Sequence, residues 1–447
     1  MAMEYTKEAK IGSDFIPSHN TDSPHSTVGE SSILIDPVLE KRAISKFDKY
    51  MMPQMALLML IAYLDRTNIG NARVFGFEQD LGLVGTQFND LSTLFYPTYV
   101  LFEIPWVMAV KKWGANAVLA VAMIGWSIVT IGTGFIHNYY QAQQAKRIAV
   151  LYGAIALSGA VGGLIAYGIQ TMGSKAGLEA WRWLFIIGGC ISIVIGLALW
   201  VTLPFDSEKA WFLNEEERYV MSLRVKRDVA YKGERKFEWK YAKMAFTEPI
   251  IYIAAIGMFC SSVPLFGFTT FLPTLIVGFG FTSLQANYLS IPVYVFACLF
   301  LCLVAWLSDK LNKRGVIAMI VPIPVLIGYA ITVGTSNHGA DLFAMFLVAA
   351  GVYPYNTLVV TWVTNNLPND HVRSIGIPLL ISIANASGIP SSQIYPKKDS
   401  PRYIMGNAAS LAMEVIALIA VGLIYFLVRR RNAKQIGNAS GDLRLAM

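Results

Sequence analysis

Charge is scarce in this sequence. Only 15% of its 447 residues are Asp, Glu, Lys or Arg, against 55% hydrophobic residues and a mean hydropathy of +0.49. That balance excludes an ordinary water-soluble domain. Cysteine is equally sparse: Cys190, Cys260, Cys298 and Cys302 all fall inside apolar runs, which excludes a disulfide framework or a zinc-ligand spacing and leaves packing as their role. The five histidines, His19, His25, His137, His338 and His371, fall in tails or loops. No His/Asp/Glu cluster is left within the apolar runs, so neither an enzyme active site nor a bound metal or cofactor is expected. There is no Gly-x-x-x-x-Gly-Lys-Ser/Thr, which argues against ATP-driven transport. Residues 1–46 have no apolar core, so they read as a disordered cytoplasmic tail rather than a cleavable signal. The net charge of +7 comes from Lys and Arg at segment ends and in one central stretch, which points to membrane orientation and not to a nucleic-acid partner.

What is present is long apolar segments, each near the roughly 20 residues that a helix needs to cross a bilayer. Five are expected at about 47–64, 87–110, 115–136, 147–170 and 181–203, and six at about 249–277, 286–307, 316–335, 341–364, 374–395 and 403–428. In lipid such segments are helices, because only helices and closed barrels satisfy their own backbone groups. The expected fold is an all-α membrane protein of eleven helices: a five-helix bundle over 47–203, a cytoplasmic central loop over 204–248, a six-helix bundle over 249–428 and a cytoplasmic tail over 429–447.

Positive loops give the orientation. Lys310, Lys313, Arg314 and Arg429 to Arg431 place the ends of the second array in the cytoplasm, against a single dissenting loop with Lys397, Lys398 and Arg402. In the first array Lys111 and Lys112 and the ten basic residues of 203–248 all read as cytoplasmic, which requires an even number of crossings between them. Three are present. The irregularity localises to His137–Arg147, where one helix is expected to be missing.

Two helical bundles joined by a cytoplasmic loop resemble the major facilitator superfamily. The resemblance rests on Ser308-Asp309-Lys310-Leu311-Asn312-Lys313-Arg314-Gly315 and on the shorter Lys111-Lys112-Trp113-Gly114 at the equivalent place in the first half. Closer still is the similarity to the fungal anion:cation symporter family, which includes allantoate, nicotinate and pantothenate permeases. It is carried by Tyr63-Leu64-Asp65-Arg66-Thr67-Asn68-Ile69-Gly70, by Phe95-Tyr96-Pro97-Thr98-Tyr99-Val100-Leu101-Phe102-Glu103-Ile104-Pro105, by Trp362, Asn366 and Arg373-Ser374, and by Tyr395-Pro396 with Asp399 to Tyr403. The likeness runs from about residue 45 to about 430. It departs from the family where the fourth helix is absent.

Several residues have chemistry of their own. Glu103 puts a carboxylate in an apolar segment, where it either exchanges a proton facing a cavity or serves as a hydrogen-bonded structural group. Arg66 offers a bidentate fork for a carboxylate, and Asp65 beside it points elsewhere on the helix; the alternative for both is snorkelling at a helix end. Tyr96 and Tyr99 share a face with Glu103, as cavity hydroxyls or as packing. Asp309, Lys310 and Arg314 form a compact charged loop suited to gating or to setting topology alone. The resemblance adds Asn68, Trp362 and Asn366 to the substrate and proton path. Glu414, near the middle of the last segment, is not assigned to it.

The expected function is secondary active transport, as proton-coupled symport of a small organic anion or vitamin-like carboxylate by a monomer in the plasma membrane, with both termini cytoplasmic. Metabolite efflux is the alternative within transport. A non-transporting sensor or defective isoform is the alternative outside it, because of the missing helix.

Overall fold

The computed structural model describes residues 35–94, 96–97, 113–135, 156–206, 208, 210–232, 239–311, 313–367 and 370–437. Every named element among them is helical. In the first half these are α1 (Pro37–Val74), the short α2 (Phe77–Asp80) and α3 (Gln87–Thr93), α4 (Ala115–Thr133), α5 (Ala156–Met172) and α6 (Ala180–Thr202). Two helices lie in the central stretch, α7 (Glu215–Lys232) and α8 (Trp239–Thr247). The second half holds α9 (Pro249–Gly278), α10 (Ser283–Leu311), α11 (Arg314–Ile320), α12 (Pro322–Gly334), α13 (His338–Asn366), α14 (Asp370–Asn385), α15 (Gly388–Gln393) and α16 (Ile404–Gly437). Eight spans among the described residues are long and apolar enough to cross a membrane, six of them in the second half.

Local chemistry starts these helices where the apolar runs begin. Pro37 follows Asp36, whose carboxylate accepts from Val38 N at 2.9 Å. Pro249 follows Glu248 in the same way, and Asn337 caps α13 by accepting from Gly339 N and Ala340 N. The apolar run expected over 316–335 is divided at Val321, where Pro322 opens α12.

The tail expected to be disordered as far as residue 46 is instead helical from Pro37. Its stabilisation is tertiary. Glu217 at the third position of α7 is buried, receives Lys46 Nζ at 2.8 Å and Arg42 Nε at 3.5 Å, and accepts from Asn214 N at 3.0 Å. Glu40 binds Arg227, and the Tyr50 ring stacks on Phe212 at 4.7 Å. Polar residues that look unstructured in isolation therefore fold as one side of a latch whose other side lies about 170 positions away. The Lys46 hydrogen bond, with that of Asn214 N, holds the Glu217 carboxyl below the usual glutamate range. A lowered folded value means that the latch contributes stability above the unfolded value and loses it as pH falls through the folded one. Thermal unfolding should thus show an acid-side loss of stability that is reduced in Glu217→Gln, and an equal loss in both proteins would contradict the linkage.

Two ends are distinguishable. The basic end carries α7, the Asp309–Arg314 loop and Arg429 to Arg431; the far end carries α2, the start of α6 and the 394–403 loop. Helix α4 finishes at the far end, where Gly134 O accepts from Arg182 near the start of α6. Helix α5 also finishes there, with Gln170 Oε1 receiving Asn287 near the start of α10. Successive helices α4 and α5 thus run in the same direction. The His137–Arg147 irregularity lies between these two helices, outside the described residues.

Candidate functional site

The buried apolar side chains divide unevenly between the ends. One cluster draws on both halves, joining Ala72, Phe77, Phe88 and Trp181 to Phe266, Phe271 and Tyr353. The other three are confined to the second half with α8, to α1 with the central stretch, and to α1 with α4 and α6. Among the described residues, the halves share a core only toward the far end.

A polar seal completes that contact. Glu78 Oε1 receives Arg73 Nε at 2.7 Å from the first half, and its Oε2 receives Lys397 Nζ at 2.8 Å from the second. The Arg73 guanidinium lies 4.4 Å from the Phe88 ring centroid and 5.3 Å from that of Phe271, so the cation is held between aromatic faces of both halves. Asn89 Nδ2 donates to Ser392 O at 2.6 Å, and Gln393 Nε2 donates to Thr93 Oγ1 at 2.7 Å. Behind them Asp80 binds Arg182 at 2.7 Å and accepts from the Trp181 indole at 3.1 Å. Sequence reading did not single out these residues. Its available signal was a charged trio, Arg73, Glu78 and Asp80, directly after the first apolar run.

Below the seal the helices touch backbone to backbone. Gly70 of α1 meets the Thr270 carbonyl of α9, and Gly388 at the start of α15 lies against the Tyr96 ring, which also packs on Phe266 with centroids 5.4 Å apart. Several buried polar groups near this level have no partner among the described residues: the hydroxyls of Ser92 and Thr274, that of Ser387 beside Gly388, and both amide atoms of fully buried Asn68 on α1. Hydroxyls and an amide at the junction of two bundles are suited to hydrogen-bonding a small polar solute.

The sequence-derived candidates separate into groups. Tyr96 lies in this junction region, and Asn68 is buried on α1, two residues along the helix from Gly70. Asp65 and Arg66 belong to α1, on the turn before Asn68, but their side chains lie outside the described residues, as do Tyr99 and Glu103 altogether. Trp362 is fully buried in the core of the second half at the basic end, its indole closing on Gly315, where an added Cβ would meet Cζ2 at 2.6 Å. Asn366 Nδ2 donates back to Trp362 O at 2.8 Å. These two accompany the charged loop, in which Arg314 Nη2 binds Asp309 Oδ1 at 2.9 Å and Lys310 Nζ sits 4.6 Å from the Trp306 ring centroid.

Comparison with known proteins follows the same lines. The model of the Major Facilitator Superfamily matches residues 130–389. An uncharacterized transporter of Schizosaccharomyces pombe is 38% identical, over 89% of this chain and 85% of its own. The high-affinity nicotinic acid transporter of Saccharomyces cerevisiae is 30% identical, over 89% of this chain and 79% of its own. A bacterial homolog of the human lysosomal transporter Spinster, in an inward-facing and unoccupied conformation, aligns with a TM-score of 0.63 over 88% of this chain and 98% of that one, at 14% identity, a likeness of fold.

Two helical bundles with a shared core at one end define a secondary transporter of the membrane. This chain belongs to the major facilitator superfamily, among its fungal transporters.

Proposed function

We propose that the chain imports a small organic anion together with protons across the plasma membrane, as a monomer, with its basic end and both termini in the cytoplasm. In this reading the structure is the inward-facing state, sealed on the outside by the Arg73–Glu78–Lys397 network. Residues 47–203 and 249–428 form the two moving bundles. Arg66 attracts the carboxylate, Asp65 or Glu103 carries the coupling proton, and Asp309, Lys310 and Arg314 gate the basic end.

Asn68 is the observation that carries the proposal. A buried amide without a partner costs about 1–3 kcal/mol, and this one has none among the described residues; it lies on α1, two residues from Gly70, which meets α9. A substrate carboxylate or ring nitrogen would satisfy it. The relative that transports nicotinic acid supports the anion class, and basic residues at the basic end support the orientation.

The test is uptake in cells, screened across nicotinate, other small carboxylates and amides, with and without an uncoupler. Uptake of one of these should rise at acid external pH, collapse with the uncoupler, and fall about tenfold or more in Asn68→Ala and Arg66→Ala, a loss of roughly 1.4 kcal/mol of binding or more. Transport indifferent to pH and uncoupler would remove proton coupling. Full activity in Arg66→Ala and Glu103→Gln would remove those assignments.

The parallel course of α4 and α5 favours one other reading, a chain that inserts and carries nothing because its first bundle is a crossing short. Reporter tags at Gln141 and in the central loop distinguish the two: a productive first bundle leaves the central loop on the side of the N-terminal tail.

A further inference from the structure

Helix α16 contains a carboxylic acid for which the site described above has no use. Glu414 is 0% exposed, ten residues into α16 and so about 15 Å along it at 1.5 Å per residue. Its Oε1 accepts from Ser261 Oγ of α9 at 3.4 Å, and its Oε2 has no hydrogen-bond partner among the described residues. Of the neighbouring hydroxyls, Tyr355 donates to Ala417 O at 3.0 Å, Ser410 lies 3.3 Å from the Tyr395 hydroxyl, and that of Tyr329 makes no hydrogen bond among the described residues.

Among the described residues no cation compensates the carboxyl. Helices α9 and α12, both packed on α16, contain no Asp, Glu, Lys, Arg or His. What they and α13 bring near Glu414 is Ser261 and Cys260 from α9, Tyr329 from α12 and Tyr355 from α13. The charged groups of the remaining neighbours stand at helix ends: Arg314 of α11, bound to Asp309, and His338 and Asp341 in the first turn of α13. On α16 itself Arg429 to Arg431 begin fifteen residues later, more than 20 Å away along the axis. An ionised carboxylate so placed would lack both solvent and counter-charge, at a cost of several kcal/mol.

We propose that Glu414 is a proton-binding site of the second bundle, loaded in this state and linked to the seal between the halves through α9. The bound proton resides on Oε2, and Ser261 donates to the carbonyl oxygen Oε1. The link is short. Ser261 and Phe266, which packs on Tyr96, are five residues apart on α9, with Pro264 between them. Proline has no N–H for the carbonyl of Cys260 and weakens the helix there. A swing of the α9 segment that carries Phe266, Thr270 and Phe271 away from the first bundle would draw Ser261 off Glu414 and admit water, from which the acid takes up its proton on the outer side; closure traps the loaded acid seen in this state. The inference rests on the reading of proton-coupled transport, to which it adds a second proton site.

Infrared spectroscopy of the purified full-length protein tests the site without any substrate. The difference spectrum between wild type and Glu414→Gln near neutral pH should contain the carbonyl band of a protonated carboxylic acid, displaced in Ser261→Ala. A carboxylate band in its place, or no difference, overturns the proposal. The link is read with a cysteine at Ser92, in a background with Cys190, Cys298 and Cys302 replaced by alanine, labelled by an impermeant maleimide across a pH series. Labelling should vary with pH in the wild-type background and lose that dependence in Glu414→Gln; the same pH dependence in both overturns the link. Uncoupler-insensitive uptake would refute symport while leaving the infrared result to decide Glu414, so the two failures are distinguishable.

Discussion

Gly70→Ala should hold the two bundles apart and abolish uptake while the protein still inserts. At Gly70 an added Cβ would fall on the Thr270 carbonyl, a backbone group on the opposing helix that has no rotamer by which to move aside. Overpacking of this kind costs about 1–3 kcal/mol, and here the cost falls on the sealed state alone, because the contact crosses between halves. With each 1.4 kcal/mol worth a factor of about ten, the sealed population should drop by about tenfold or more relative to the open one. A maleimide added from outside, reading a cysteine at Ser92, should label Gly70→Ala faster than the parent. Unchanged labelling and uptake would show that Gly70 is not at a moving interface.

Glu78→Gln should have the second large effect, and one much larger than that of Lys397→Ala. Glu78 and Arg73 are both buried, with side chains 8% and 5% exposed, so removing the charge leaves Arg73 with no carboxylate. Breaking a buried pair costs about 3–5 kcal/mol; the amide still accepts one hydrogen bond, and the Phe88 and Phe271 faces still attract the cation, so the lower part of that range is expected. Lys397 is 55% exposed, and a pair with so much solvent access contributes about 1 kcal/mol or less. Thermal unfolding of the purified variants, together with far-end labelling, checks the ranking. Equal effects would mean that the bridge between halves, and not the buried pair beneath it, holds the seal.

In the second half, apolar runs and helices nearly coincide: α9, α10, α13 and α16 begin within a few residues of the runs at 249, 286, 341 and 403. The reason is local. A bilayer selects for about 20 consecutive apolar residues, and that signal needs no knowledge of neighbours. At His137–Arg147 loop charge and helix count disagree in the sequence; that stretch lies outside the described residues, and the helices on either side of it, α4 and α5, run in the same direction.

The candidate site was less legible. Of the residues singled out, Tyr96 packs against Phe266 and Gly388 of the second half and Asn68 is buried on α1, whereas Trp362 and Asn366, drawn from the same resemblance, accompany the loop at Gly315. A motif records residue types along the chain. It does not record which way each helix is rotated, and rotation decides whether an indole lines a path or fills a core. The disordered tail failed for a related reason: residues 37–46 are too polar to fold alone, and their partner Glu217 is over 170 positions away.

By itself the sequence determined the solvent, the helical class and the superfamily, which follow from composition, short-range pattern and local motifs. Only the tertiary structure decided where the bundles close and what closes them. Glu78 meets Lys397 across 319 positions and Asn89 meets Ser392 across 303. Each pair is an ordinary acid and base, or an amide and a carbonyl, until two bundles bring them together, because a contact between halves leaves no period, spacing or composition in either half.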